Sequence, residues 1–256
     1  MRKLITVMSC NAKRAWAAAQ RQTWARDIVG RGYADVKFFF GQGEHRDALP
    51  DEVRLFCPDD YRGIPLKVQA ICKYAVEHCY DYVSKCDDDV YVVPERFKTL
   101  PIEPADYVGR FRTPYGTVYP AHFASGFFYT LSNRAADIVA HTPWNGDWMD
   151  ERFVATALAR HGIFGYHDTV NYMVTGPHLP PHQILNTDAF RKGTVFCEYA
   201  PREMHVMHLA MRHLTPVPHD FQLKHQPQVI VTDEILRAKP NDDVPLHKIG
   251  RHYESH

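Results

Sequence analysis

Apolar residues come in short runs separated by polar or helix-spaced stretches, and the alternation starts at the first residues of the chain. Leu4-Ile5-Thr6-Val7-Met8 is short and apolar enough for a buried strand. Behind Asn11, a residue suited to cap a helix, Trp16, Ala19, Thr23 and Trp24 recur at helical spacing. Past Gly30 and Gly32, Val36-Lys37-Phe38-Phe39-Phe40 predicts a second strand ending at Gly41, and Val53-Arg54-Leu55-Phe56 a short third. Pro65 fits the first turn of a helix whose buried stripe is Val68, Cys72, Ala75 or Val76, and Cys79. Tyr80-Asp81-Tyr82-Val83-Ser84-Lys85 reads as a fourth strand that runs directly into Asp87-Asp88-Asp89. Strands alternating with helices predict an α/β domain with a mixed, mostly parallel sheet flanked by helices. Such sheets gather ligands at the carboxyl ends of their strands, where this acidic triplet falls.

The second half is less regular. Tyr107-Val108-Gly109-Arg110 and Gly126 to Leu131 predict strands, Ser132 or Asn133 caps a helix through Val139, and a further helix covers about 150–160. Residues 165–203, rich in Pro, His and Gly, read as loop, and Glu203 to Leu209 alternates like a strand. Prolines and charges dominate from Pro216, with one element expected near Val229 to Leu236. One domain over residues 1–215 with a C-terminal extension over 216–256 follows.

Composition narrows the class. Over 256 residues, 45% are hydrophobic and 23% charged, which is ordinary for a globular protein and leaves no room for wholesale disorder. Thirty Lys and Arg balance thirty Asp and Glu, so no global basic field exists for gripping nucleic acid. Leu4 to Met8 is too short for a membrane helix or a secretory leader. Six cysteines do not make a disulfide scaffold at this length, and Cys72, Cys79 and Cys86 have the spacing of a core stripe, not of a zinc site. The expectation is a soluble cytoplasmic protein with reduced thiols.

Three adjacent carboxylates repel one another unless a cation compensates, and oxygen-only sites of this kind suit Mn²⁺ or Mg²⁺, especially beside a diphosphate. The competing reading is a solvated acidic turn. An EF-hand does not fit, because its central glycine and closing Glu are missing.

The blocks around the triplet carry a resemblance. Asp59-Asp60-Tyr61-Arg62-Gly63-Ile64-Pro65-Leu66-Lys67 is similar to the D-x-Y-x-N-L-T-x-K stretch of β1,3-galactosyltransferase- and Fringe-like glycosyltransferases. Tyr82 to Val92 resembles the D-D-D-V-F-V core of that family, Arg21-Gln22-Thr23-Trp24 its R-x-T-W, and Phe39-Phe40-Gly41 its F-L-G. Tyr119-Pro120 and Ser125 to Ser132 resemble Y-P and S-G-x-x-Y-x-L-S, and Asp150-Glu151-Arg152 stands where the family has E-D-V. The blocks keep family order across about residues 14–160. Departures are Gly63 for the family asparagine, the altered E-D-V, and Ala155 where a glycine is common.

The resemblance implies a GT-A fold, a single Rossmann-like domain that binds a nucleotide-sugar, usually a UDP-sugar, with Mn²⁺ and performs inverting transfer to an acceptor hydroxyl. By the same resemblance Asp89 ligates the metal, while Asp87 and Asp88 contact ribose or metal-bound water. A histidine beyond the E-D-V helix adds a ligand, with His208 preferred to His205 and His213 a third option. Glu151 becomes the base and Asp150 the alternative, although first-turn acids also simply complement a helix dipole. Arg21, Lys67 and Lys85 are candidate donor-binding cations, and Ser125-Gly126 lets backbone approach the donor. Trp24 is either core or a base-stacking residue, and Tyr61 reads as packing. A glycan acceptor is expected, for instance a bacterial or viral surface glycan. A protein or a modified DNA base is the alternative, the latter served by a basic patch at Lys239, Lys248 and Arg251. A binding module without turnover is a rival, as is a metallohydrolase using His178 and His182, which Gly176, Pro177, Pro180 and Pro181 disfavour.

Overall fold

A computed structural model describes residues 1–43, 48–100, 102, 105–112, 123–168, 171, 194–196 and 199–213. The first apolar run forms β1 (Lys3–Met8), in which Leu4, Ile5 and Val7 are fully buried. A 3-10 turn at Asn11–Lys13 leads into α1 (Arg14–Gln20), a π-helical turn at Arg21–Ala25, and α2 (Arg26–Gly30). Thr23 accounts for the widened turn, because its Oγ1 donates to the Ala19 carbonyl at 2.6 Å and competes with the helix ladder there. Asn11, expected as the cap, lies inside the first turn and donates its side-chain amide to Asp59 at 2.7 Å.

β2 (Asp35–Phe40) and β3 (Glu52–Arg54) come next. α3 (Ile64–Glu77) follows a 3-10 turn at Tyr61–Gly63, which Asp60 caps by accepting from the Gly63 amide at 3.0 Å. Then come β4 (Tyr82–Asp87), β5 (Tyr91–Val92), α4 (Pro94–Phe97), β6 (Tyr107–Arg112) and β7 (Phe123–Ser132). α5 (Asn133–His141), capped by the Ser132 hydroxyl, precedes α6 (Asp150–Ala159), β8 (Tyr166–His167), β9 (Val195–Phe196) and α7 (Pro201–His213).

The main sheet has the order β3-β2-β1-β4-β7-β6-β8. β1 pairs parallel with β2 and with β4, β2 with β3, and β6 with β8, whereas β7 runs antiparallel to both β4 and β6. β5 and β9 form a separate antiparallel pair. The period of two sorts the strand residues onto the two faces. Ile5, Val7, Phe38 and Phe40 pack with Trp24 and Ile28 on one side; Leu4, Phe39, Val83 and Leu131 pack with Ile71, Cys72, Val139 and Leu158 on the other. This is the α/β architecture expected, a mixed and mostly parallel sheet between helices. The chain builds β2 and β3 to one side of β1, then crosses to β4 on the other, which opens a crevice beyond the carboxyl ends of β1 and β4.

Two expectations are corrected. Glu203 to Leu209 is helix, not strand: Met204, Met207 and His208 are buried at i, i+3 and i+4, a helical stripe that imitates alternation over so short a window. The 165–203 stretch, read as loop, contributes β8, β9 and the start of α7. Tyr119, Pro120, His178, His182, Lys239, Lys248 and Arg251, with the 229–236 element and the boundary at 215, lie outside the described residues. Among the described residues no helix is long and apolar enough to cross a membrane.

Candidate active site

β1 and β4 deliver their ends side by side, with Met8 opposite Asp87 in the parallel register. The acidic triplet splits at that point, because successive side chains leaving an extended strand point to opposite sides. Asp88 turns back toward β1 and α1 and is buried. Its Oδ2 accepts from the Ser9 hydroxyl at 2.8 Å, and its Oδ1 lies 3.1 Å from Lys13 Nζ. Asp87 turns toward β7, where Lys85 Nζ donates to its Oδ1 at 2.6 Å. Asp89 is fixed by backbone, its carbonyl accepting from the Tyr199 amide at 2.9 Å, and its side chain is half-buried.

Lys85 joins the elements. Its side chain is 3% exposed, and besides Asp87 it donates to the Gly126 carbonyl of β7 and lies 3.5 Å from Asp150 Oδ2 at the start of α6. The Tyr129 hydroxyl donates to the same Asp150 oxygen at 3.3 Å. Glu151 shares a hydrogen bond with Asp150 and sits over Gly126, where an added Cβ would come within 3.2 Å of Glu151 Oε2. Glycine at 126 is thus what lets this carboxyl settle against β7.

The electrostatics follow from crowding. Burial alone would lower the Lys85 pKa, but Asp150, Asp87 and Glu151 outweigh it and hold it up. Burial, then Asp89 and Asp150, push Asp87 up to about 7 against the pull of Lys85. Burial and Asp88 raise Asp89, and burial and Asp150 lift Glu151 well above the usual carboxylate range. The five carboxyls of Asp87, Asp88, Asp89, Asp150 and Glu151 face the two ammonium groups of Lys13 and Lys85. The crevice is short of positive charge and rich in hard oxygen donors. Among the described residues no three His, Cys, Asp or Glu side chains form a metal-holding group.

The other sequence candidates fall in different places. Lys67, 3% exposed, donates to the Ser9 carbonyl at 2.9 Å and to Asp59 Oδ1 at 2.7 Å, so it braces the end of β1. Asp59 also accepts from the Asn11 amide at 2.6 Å and the Gly41 amide at 2.8 Å; burial opposes its ionisation, but these bonds bring its pKa below the usual value. Arg21 pairs with Asp51 at 2.8 Å and Glu52 at 2.9 Å and stacks over Phe38, at the β3 edge of the sheet. Trp24 is core, fully buried, with its indole donating to the Val90 carbonyl at 3.0 Å. Ser125 is buried beside Gly126, and its Oγ has no hydrogen-bond partner among the described residues.

His205 is exposed on α7, while His208 is buried with Nδ1 3.1 Å from the Tyr91 hydroxyl and Nε2 3.6 Å from Asp27 Oδ2. Neither of those contacts joins the imidazole to Asp87 or Asp89. Residues that the sequence reading gave no role, Ser9, Lys13, Asp59 and Tyr129, bind the acids directly or brace the strand ends. Asp59 and Tyr129 carried a signal, as the opening residue of the D-x-Y-like block and the tyrosine of the S-G-x-x-Y-x-L-S block. Tyr61, read as packing, is 70% exposed and feels Glu151, Asp150 and Asp87.

No protein-family model and no curated protein sequence matches the chain. Its fold matches solved structures. A glycosyltransferase involved in the glycosylation of the major capsid of PBCV-1 superposes with a TM-score of 0.50 over 84% of this chain and 100% of that one, at 12% identity. The likeness is one of fold.

Proposed function

We propose that the chain is a metal-dependent, inverting glycosyltransferase that moves a sugar from a nucleotide-sugar, a UDP-hexose or UDP-N-acetylhexosamine, to a hydroxyl of a glycan. The reading rests chiefly on one observation: the Asp150–Glu151 pair at the start of α6 faces the Asp87 end of β4 across Lys85 and the Gly126 backbone. The fold shared with a capsid-glycosylating enzyme supports it, as do the Fringe-like sequence blocks.

Glu151 is the base. Asp150 is engaged by Lys85 and Tyr129, which leaves it to orient its neighbour, while Glu151 stands over Gly126 with its pKa lifted by burial and by Asp150, which strengthens it as a base once ionised. Glu151 takes the acceptor proton as the acceptor oxygen bonds to the anomeric carbon, and the bond to the diphosphate breaks with its electron pair leaving on the nucleotide. Lys85 holds Asp87 and Asp150 in register, and Asp88 ties the strand end to Ser9 and Lys13. Asp87 and Asp89 are the side chains that would hold a Mn²⁺ or Mg²⁺ ion, which would neutralise charge on the departing diphosphate. His208 and His205 are not assigned as ligands in this reading.

Nucleotide-sugar consumption with Mn²⁺, with and without chelator, tests the proposal. Free UDP and sugar released by the wild-type protein and lost with Glu151→Gln would support it. Metal-linked thermal stabilisation by the nucleotide-sugar without any turnover would make the chain a binding module instead.

A further inference from the structure

Two aromatic rings near the acidic cluster have no place in the chemistry above. Tyr61 opens the 3-10 turn ahead of α3 and is 70% exposed; its ring lies 6.0 Å from that of half-buried Trp148, tilted by 37°. Trp148 precedes the Asp150–Glu151 pair by two residues, and its segment is pinned on both sides. Asp147 Oδ1 accepts from the Met149 amide at 3.2 Å, and Asp147 Oδ2 pairs with Arg152 at 3.1 Å. Partial burial of the Tyr61 hydroxyl, then the nearby charges of Glu151, Asp150 and Asp87, raise its pKa. Neither ring belongs to the hydrophobic clusters on the two faces of the sheet, and the two lie against each other instead.

We infer that Tyr61 and Trp148 form an acceptor subsite that stacks the apolar C–H face of a neutral pyranose and presents its hydroxyl to Glu151. Rigid rings joined to a few convergent polar groups are the usual construction of such sites. The rings decide the ligand class. The ring faces offer C–H contact and no cation, so an uncharged pyranose suits them better than a phosphate backbone does.

The inference extends the transferase reading, and its test has an arm that does not depend on turnover. Saturation-transfer NMR of the full chain with a panel of neutral methyl pyranosides and disaccharides should show contact at the ring C–H protons. The contact should fall about tenfold in Tyr61→Ala and Trp148→Ala and return in Tyr61→Phe and Trp148→Phe. Val29→Ala, an exposed apolar position on α2, should leave it unchanged. In the kinetic arm the ratio of transfer to donor hydrolysis should drop by a similar factor in the alanine variants, through the acceptor KM. No saturation transfer from any saccharide, equal transfer in Tyr61→Ala, or Tyr61-dependent binding of a single-stranded oligonucleotide in place of sugars would overturn the inference. Absence of donor turnover with saccharide binding intact would instead overturn the transferase reading.

Discussion

Replacing Lys85 by Met removes the cation that Asp87, Asp150 and Glu151 share. The side chain is 3% exposed, and Asp150 beside it is 7% exposed, so water cannot take the place of the ammonium. Methionine fills the volume but leaves buried carboxyls uncompensated, a change that costs about 3–5 kcal/mol in comparable sites. Against a typical domain stability of about 5–15 kcal/mol, that is a fall in Tm on the order of 10 °C. The pH dependence makes the argument specific. Burial and the neighbouring acids push Asp87 up to about 7 and lift Glu151 well above the usual carboxylate range; losing Lys85 raises both further. A carboxyl with a raised folded pKa keeps its stability contribution at low pH and loses it as pH rises through that pKa. The variant should therefore be nearest to wild type at about pH 5 and furthest from it above about pH 7. Thermal unfolding of both proteins from pH 5 to pH 8 measures this. A destabilisation equal at all pH values, or none at pH 8, would refute the picture of Lys85 as the charge hub.

Asp59→Asn should weaken the brace between β1, β2 and α3, since it leaves buried Lys67 without its charge partner; a loss of about 2–4 kcal/mol in urea unfolding is expected at pH 7. Because the Asp59 pKa is lowered in the fold, that contribution is present above the unfolded value and should fade as pH falls below about 4. Gly126→Ala places a methyl 3.2 Å from Glu151 Oε2, so it should cut transfer while circular dichroism and Tm stay close to wild type; unchanged transfer would detach Gly126 from the site. With Glu151 as base, the rate should rise with pH through its raised pKa, and Glu151→Gln should abolish that limb of the pH–rate profile.

The sheet was legible because its strands are short apolar runs bounded by Gly, Pro or charge, as in Val36 to Phe40, and the helices on its faces keep a clear period. α7 was not, since Met204, Met207 and His208 imitate a strand over seven residues and only contact with α1 and α2 reveals the helix. At the site, the adjacency of Asp150 and Glu151 and the position of the triplet were readable from sequence. What was hidden is how the charges are shared out. Lys67 and Lys85 look equivalent as donor-binding cations, yet one is taken by Asp59 and the other by Asp87 and Asp150. Arg21, in a family-like R-x-T-W block, is occupied by Asp51 and Glu52, acids thirty residues away that no local pattern connects to it. The exposure of Tyr61 was equally invisible, since it depends on where Trp148 returns from a distant part of the chain.

The most direct test of the acid crevice as a transfer site is a panel of nucleotide-sugars incubated with the wild-type chain, Glu151→Gln and Asp89→Ala in the presence of Mn²⁺, with release of the nucleoside diphosphate followed by chromatography. The expected result is consumption of a UDP-sugar by the wild type, a loss of about a hundredfold or more in Glu151→Gln, and a comparable loss in Asp89→Ala or on chelation. Wild-type-like release by Glu151→Gln, or no release from any nucleotide-sugar by the wild type, would contradict it.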